Sequence, residues 1–144
     1  MASDLFERTC RLIASECGLV IGTNTNQVQA GFLADDAPDR CQAFIDSGGD
    51  APFDLGNEGR MFYLQVMTQA PEPLMARGDA WQLFEQLAGF DSKLNGKSLP
   101  VLVTGDPVWM VQSVLANAAP FYMGQDDRKR HVYSTNYQIR IAKL

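Results

Sequence analysis

The end of the chain carries its clearest hydrophobic pattern. Successive side chains of a strand point to opposite faces, and from residue 133 onward the residues alternate strictly between the two kinds of position. One face would carry Tyr133, Thr135, Tyr137, Ile139 and Ile141, and the other Ser134, Asn136, Gln138 and Arg140. The pattern predicts a closing strand over Arg130–Ala142 with one buried and one solvated face.

The residues just before this strand predict a hairpin. Phe121–Gly124 is apolar apart from its last residue, and Gln125–Arg130 is polar and charged. We interpret the two stretches as an apolar edge segment, a reversal assisted by Gly124 and a charged tip.

Helical spacing appears twice. The first helix has Ser3 as a candidate N-cap, acidic residues in its first turn and Gly18 as its end. The second helix runs from about Leu74 to Ala88 and ends at Gly89. The residues expected near one face of the second helix are Leu74, Trp81, Phe84, Leu87 and Ala88.

Between the helices and the closing strand, period-two segments bounded by Gly, Pro and Asp indicate further strands. Arg60–Gln69 is apolar on both faces and is expected to be central, whereas Gly48–Gly59 has no period and is expected to be a functional or mobile loop. The other strands are expected at Val28–Leu33, Arg40–Asp46, Val101–Thr104 and Val108–Asn117. This order predicts an α+β fold, a mainly antiparallel sheet with two helices packed on one side, in a single domain over residues 1–144.

Composition narrows the classes of function. The 12 basic and 17 acidic residues give a net charge of -5, which argues against specific nucleic-acid binding because phosphate contacts need clustered Lys and Arg. No apolar run approaches the length of a membrane span, and no leader is indicated. Cys10 and Cys17 would lie roughly 10 Å apart along one helix, too far for a disulfide. With Cys41 they are expected to be reduced thiols in a cytoplasmic setting.

No catalytic or metal-binding pattern is apparent. His131 is the single histidine, so any Ser/His/Asp or Cys/His system must use it, and an ordinary edge position is the favoured interpretation. One histidine and no C-x-x-C pair do not make a zinc site. Gly48-Gly49 lacks the phosphate-loop pattern. We therefore expect a protein that is not an enzyme and uses no cofactor or metal.

Several residues outside the periodic core suit contact with another protein. Aromatic and methionine side chains with polar surroundings are typical of interface centres. A second interpretation, in which the apolar ones fold back to cover the ends of the sheet, is equally open. The candidate interface residues are Gly48, Gly49, Phe53, Phe121, Tyr122, Met123, Asp126, Asp127 and Arg128.

In the order and spacing of its sequence segments, the chain resembles the tail terminator (tail-completion or minor capsid) proteins of long-tailed bacteriophages over about residues 5 to 142. Pro38–Gly49 is similar to a family strand that ends in Ser or Thr and two glycines. Phe62–Thr68 is similar to the central strand, although Thr68-Gln69 stands where the family often has an arginine. Met75–Leu87 with Gly89 matches the second helix, and Pro120–Asp126 followed by Val132–Arg140 matches the closing hairpin.

This resemblance implies a small α/β sandwich that assembles into a homo-hexameric ring at the head-proximal end of the tail tube. Such a ring binds the last ring of the tail tube protein, halts polymerisation and offers a surface to the head-completion (neck) protein. It implies a virion protein, assembled in the host cytoplasm, with a lumen through which DNA passes.

Two other classes are compatible with the layout. An acidic cytoplasmic secretion chaperone would share the size, the amphipathic first helix and the α+β order, but such chaperones are usually two-fold dimers. A small hydrolase would need a site built around His131.

Overall fold

The computed structural model describes residues 3–22, 28–31, 37–49 and 59–144, and within these ranges the chain forms two helices and six strands. The predicted α+β class is confirmed. In chain order the elements are α1 (Leu5–Cys17), β1 (Val28–Ala30), β2 (Cys41–Gly49), β3 (Gly59–Ala70), α2 (Pro73–Leu87), β4 (Trp109–Ala116), β5 (Phe121–Gln125) and β6 (His131–Lys143).

The strands form one sheet in the order β1-β2-β3-β6-β4, with β5 also paired to β6. The β1–β2 pair is parallel and the other pairs are antiparallel. β3 is central, as its apolar character on both faces predicts. β2 continues to Gly49, beyond the predicted end at Asp46, with an irregular register between these two residues. The predicted strand Val28–Leu33 is confirmed over β1, and residues 32–36 and 50–58 lie outside the described part.

α1 begins one residue later than predicted. Asp4, rather than Ser3, is the N-cap, and its carboxylate accepts the Glu7 backbone N–H at 3.2 Å. The helix ends at Gly18 with φ 69°, a left-handed conformation that glycine adopts without a Cβ penalty.

The packed face of α2 matches the predicted one only in part: Leu87 is buried and Ala88 packs against the core, as expected. Its buried residues are Ala76, Ala80, Leu83 and Leu87, while Leu74 is exposed and Trp81 and Phe84 are half-buried. Two alanines in the contact allow the helix backbone to approach the sheet closely. The large side chains pack elsewhere: Trp81 meets Phe84 edge-on and lies beneath the Arg77 guanidinium.

Both helices cover the same face of the sheet, because Ile13 of α1 and Leu87 of α2 belong to one apolar cluster with Phe44, Val66 and Ile139. The alternation in β6 is confirmed for its apolar face, where Tyr137, Ile139 and Ile141 are buried. On the opposite face Ser134 is also buried, contrary to the prediction, since its hydroxyl accepts the Gln65 side-chain amide at 3.2 Å.

The predicted strand Val101–Thr104 does not form. These residues make an exposed turn, because the Asp106 carboxylate accepts the N–H groups of Leu102 and Val103 at 2.9 and 3.0 Å. A β-rich composition is overridden here by a local side-chain to backbone bond. The connector expected at Asp91–Leu99 is confirmed as turns, and β4 lies inside the predicted Val108–Asn117.

Candidate protein interface

The β5 strand exposes three large apolar side chains in a row. Phe121, Tyr122 and Met123 are 45%, 48% and 54% exposed. They follow Pro120, and β5 pairs on one side with β6. On its other side, no backbone partner is found among the residues that the structure describes. The predicted apolar edge segment is confirmed as an edge strand.

The two other outer strands of the sheet are covered by the chain itself. Along β4, the connector donates backbone N–H groups from Gly89, Gly96 and Leu99 and accepts one at Lys97. Along β1, the Val28 N–H bonds to the Val20 carbonyl at 2.7 Å. An uncovered edge is a template for pairing with another chain, which makes β5 the most open of the described edges.

A bulge interrupts β5 at Met123, where the register shifts between Tyr122 and Gly124. Gly124 has φ 105° and serves this bulge. The prediction that Gly124 assists the reversal is therefore wrong. The reversal lies at Asp126–Lys129, closed by the Lys129 N–H on the Asp126 carbonyl at 3.0 Å.

Asp126 and Arg130 hold the hairpin tip from inside. The Asp126 carboxylate accepts the N–H groups of Arg128 and Arg130 at 3.0 and 2.9 Å and the Arg130 Nε at 2.6 Å. Arg130 is buried and donates through Nη1 to the Ala37 carbonyl at 3.0 Å. Burial raises the pKa of Asp126, but the hydrogen bonds from Arg130 and Arg128 outweigh it and leave this pKa below its usual value.

The candidate charged residues at the tip therefore differ in whether they are bonded within the turn or exposed. Asp126 is occupied by contacts within the turn, so reversing its charge would disturb the hairpin. Asp127, Arg128 and Lys129 are exposed, and none of the ion pairs found in the described ranges involves them. These three charges can meet a partner.

An aromatic cluster stiffens β5 against β6. The Tyr122 hydroxyl lies 2.8 Å from His131 Nδ1, and its ring stacks on the imidazole and tilts against Tyr133. Gln125 Nε2 lies 3.3 Å from His131 Nε2. The histidine thus joins side chains of its own hairpin. The predicted edge position is wrong, because His131 pairs with Ala70 of β3 on one side and with Gln125 of β5 on the other.

Gly48 and Gly49 lie within β2, whereas the sequence indicated a loop there. Gly48 has φ 98°, and its N–H bonds to the Asp46 carboxylate at 2.9 Å, which permits the irregular register at this point. Asp46, Ser47 and Gly48 are exposed. The structure does not bring this end of β2 near β5, since the two lie on opposite sides of β3 and β6. Phe53, the remaining candidate, lies outside the described residues.

A second exposed apolar surface was missed in the sequence. Val101, Leu102 and Val103 are 60%, 37% and 49% exposed, and Val108, nearby in the chain, is also exposed, as is Leu144, whose N–H bonds to the Val108 carbonyl. We call these five residues the end patch. A run of apolar residues that carries no strand periodicity but precedes a Gly-Asp pair could have signalled it.

The end patch is held firmly by two buried side chains. Asp106 accepts the Ser3 N–H at 2.8 Å as well as the two N–H groups of the turn. The bonds from Ser3, Val103 and Leu102 outweigh the effect of burial and lower the pKa of Asp106 well below its usual range. Arg8, fully buried, donates to the Pro100 and Leu99 carbonyls at 2.8 and 3.4 Å.

Thr68 and Gln69, which stand where the resemblance noted in the sequence would place an arginine, are both buried. Thr68 accepts the Gln42 side-chain amide at 3.1 Å, and Gln69 donates to the Pro38 carbonyl at 2.8 Å. These bonds attach the segment before β2 to the central strand. The position serves the interior of the subunit in this chain.

The described residues contain no group of His, Cys, Asp and Glu side chains that could hold a metal ion. Cys10, Cys17 and Cys41 are free. Burial raises the thiol pKa to about 12 for Cys10 and about 11 for Cys17 and also raises that of Cys41, which disfavours the nucleophilic thiolate form. Neither described helix is long and apolar enough to span a bilayer.

Comparison of the chain with protein-family models gives a match. The family model of the bacteriophage tail terminator protein matches residues 30–143. The match confirms the resemblance found in the sequence and includes β2 to β6 and α2. A search of curated proteins gives no match.

Proposed function

Because the chain belongs to the bacteriophage tail terminator family, and is thus a structural protein of the phage tail, we propose that it caps the head-proximal end of the tail tube. It forms a homo-hexameric ring there, stops tube polymerisation and presents a docking surface to the head-completion protein. Its place is the neck region of the virion, and assembly takes place in the host cytoplasm.

The uncovered β5 edge is the observation that carries this proposal. A stiff strand with exposed Phe121, Tyr122 and Met123 has little conformational entropy to lose on binding. Main-chain groups along such an edge can pair with an extended segment of another subunit or of the tube. Gly48, Gly49 and the charges of Asp127 and Arg128 belong to the proposed contact surfaces, and the end patch provides a further apolar one.

The family match favours this role over a secretion-chaperone dimer, and the contacts of His131 support no hydrolase. A net charge of -5 suits a ring through which DNA passes, because carboxylates and phosphates repel one another.

The decisive experiment measures tail length in phage made without this protein. Tubes of irregular, extended length and unjoined heads are expected, because nothing would cap the growing end. Normal tubes joined to capsids would refute the proposed function. A finer test replaces Met123 with Ser or Asp127 with Arg, each expected to lower the yield of joined particles, with Gln82→Ala on the exposed side of α2 as the matched control.

A further inference from the structure

The sheet has a second open stretch, on the side opposite to β5. β1 pairs with Gln42–Phe44 of β2, and the Gly31 N–H bonds to the Phe44 carbonyl at 2.7 Å. Beyond Phe44, Ile45–Gly49 has no backbone partner on its outer side within the described ranges. Among the described residues, two different strand edges therefore lack a backbone partner, β5 on one side of the sheet and the distal half of β2 on the other.

We propose that β5 of one subunit pairs, strand to strand, with the distal half of β2 of a neighbouring copy, so that the sheets continue from subunit to subunit around the ring. This inference rests on the proposed function. It names the main-chain contact that would close the ring, and it assigns Gly48 and Gly49 to one half of that contact.

A ring requires a contact of this kind. In a cyclic assembly with more than two members, one face of each subunit meets a different face of the next. Two open edges on opposite sides of one sheet satisfy this condition, whereas one edge meeting its own copy would give a two-fold dimer. β2 and β5 run in opposite directions in the sheet, so subunits related by a ring axis would pair in the antiparallel manner.

The charges next to the two edges are complementary. The exposed residues Asp127, Arg128 and Lys129 give the hairpin tip a net positive charge. On the distal half of β2, Ile45–Gly49, Asp46 is an exposed acidic residue and there is no Lys or Arg. In a chain with a net charge of -5, the basic tip is a natural match for Asp46 of another copy.

The register makes the proposed geometry specific. Phe121 is paired with Ser134, Ser134 with Met67 and Met67 with Ala43, so β5 lies level with the start of β2. The open half of β2 begins two positions beyond Ala43 and ends six positions beyond it, a displacement of roughly 7 to 20 Å along the strand. A closed ring accommodates such a displacement when its strands are tilted to the ring axis, as in closed barrels.

Disulfide trapping tests this pairing directly, because residues opposite one another on neighbouring strands have the Cα separation that a disulfide requires. Phe121→Cys or Met123→Cys is combined with Asp46→Cys or Ser47→Cys in one chain, in a Cys17→Ser background. After mild oxidation of the assembled protein, at least one combination is expected to give a ladder of linked subunits up to the full ring.

The control variants distinguish the proposed contact from other ways in which subunits could become linked. The single-cysteine variants, and Met123→Cys with Gln82→Cys on α2, are expected to give no ladder. Dimers formed by Met123→Cys alone would indicate a two-fold contact and overturn the proposal. Rings seen by native mass spectrometry or on tail tubes, with none of the four combinations linked, would overturn this inference and leave the proposed function standing. The absence of any ring in either setting would overturn both.

Salt dependence gives an independent measurement. Arg128→Glu with Lys129→Glu is expected to weaken the ring at low salt and to have a much smaller effect at high salt, since exposed charges are screened. Gln82→Glu with Gln86→Glu changes surface charge elsewhere on α2 and is expected to leave the ring unaltered. Equal loss of assembly by both pairs of substitutions would count against charge complementarity at this contact.

Discussion

β4 and β5 both pair with the same side of β6, but they differ in whether their outer sides are covered. β4 pairs with the second half of β6 and is covered on its outer side by the connector that follows α2. β5 pairs with the first four residues of β6 and has no backbone partner beyond it in the described chain. One half of the edge is thus completed within the subunit, and the other has no partner strand among the described residues.

Each half also has a carboxylate that shapes an exposed segment beside it. Asp106 organises the end patch next to the start of β4, and Asp126 organises the turn after β5. The comparison shows that local rigidity and coverage are separate properties. A segment can be held in one conformation by the subunit and still expose apolar side chains for assembly.

The largest effect on stability is expected at the covered half. Ile139 is fully buried and pairs with Val114 of β4 and Phe62 of β3. Ile139→Ala should lower the free energy of unfolding by about 2 to 5 kcal/mol, because it removes buried methyl groups and leaves a cavity. Urea denaturation measures this loss. Ile139→Val is the conservative control, with an expected cost of about 0.5 to 1.5 kcal/mol, and equal costs would contradict a cavity.

A smaller loss is expected at the support of the open half. Arg130→Ala removes the ion pair with Asp126 and the bond to the Ala37 carbonyl, leaving both acceptors without this donor. The expected cost is about 1 to 3 kcal/mol in thermal or urea unfolding, with faster amide exchange in β5. Arg128→Ala at the exposed tip should be nearly neutral, and a comparable loss there would show that Arg130 acts only through general charge.

Acid should weaken both supported segments together. The pKa of Asp106 and that of Asp126 are below their usual value of 3.8, so their ionised forms stabilise the folded state above this pH. Stability should fall as the pH drops below about 4 and each carboxylate takes up a proton. Unfolding curves across this range measure the slope. Asp106→Asn with Asp126→Asn should be less stable at neutral pH and show a shallower slope, whereas an unchanged slope would contradict the assignment.

The smallest effect on stability is expected at the open edge itself. Met123 lies at the bulge and is exposed, so Met123→Ser should change the free energy of unfolding by no more than about 0.5 kcal/mol. The same substitution is expected to impair ring formation, and the two measurements together separate contact from folding. A clear loss of stability would mean that β5 belongs to the folded core of the subunit.

Much of the fold could be predicted from the sequence, because the spacing of apolar residues and the residues that end helices and strands are local features. The alternation in Tyr133–Ile141 located β6, and Gly18 located the end of α1. The contact face of α2 was predicted only at Leu87 and Ala88, because large residues at Leu74 and Trp81 suggested burial while the sheet accepts the small Ala76 and Ala80. The apolar composition of Val101–Thr104 indicated a strand, and one carboxylate later in the chain folded it into a turn.

The candidate interface likewise contains residues that could be found from the sequence and residues that could not. Phe121, Tyr122 and Met123 were found from the sequence because they stand outside the periodic core, next to glycine and charge. The end patch was missed because its support comes from Ser3, Arg8 and Asp106, which are far apart in the chain or hidden in a loop. The role of Asp126 within the turn was missed for a similar reason, since a charged hairpin tip looks solvated until its bonds are seen.

Local patterns were sufficient for the class of fold, the central position of β3, the closing strand and the family, since each depends on the spacing of residue types along the chain. The coverage of β4, and the choice between exposed and folded-back side chains at Phe121, Tyr122 and Met123, followed only from three-dimensional packing. Coverage of an edge depends on backbone bonds between distant segments, and the spacing of side chains does not specify where those bonds form.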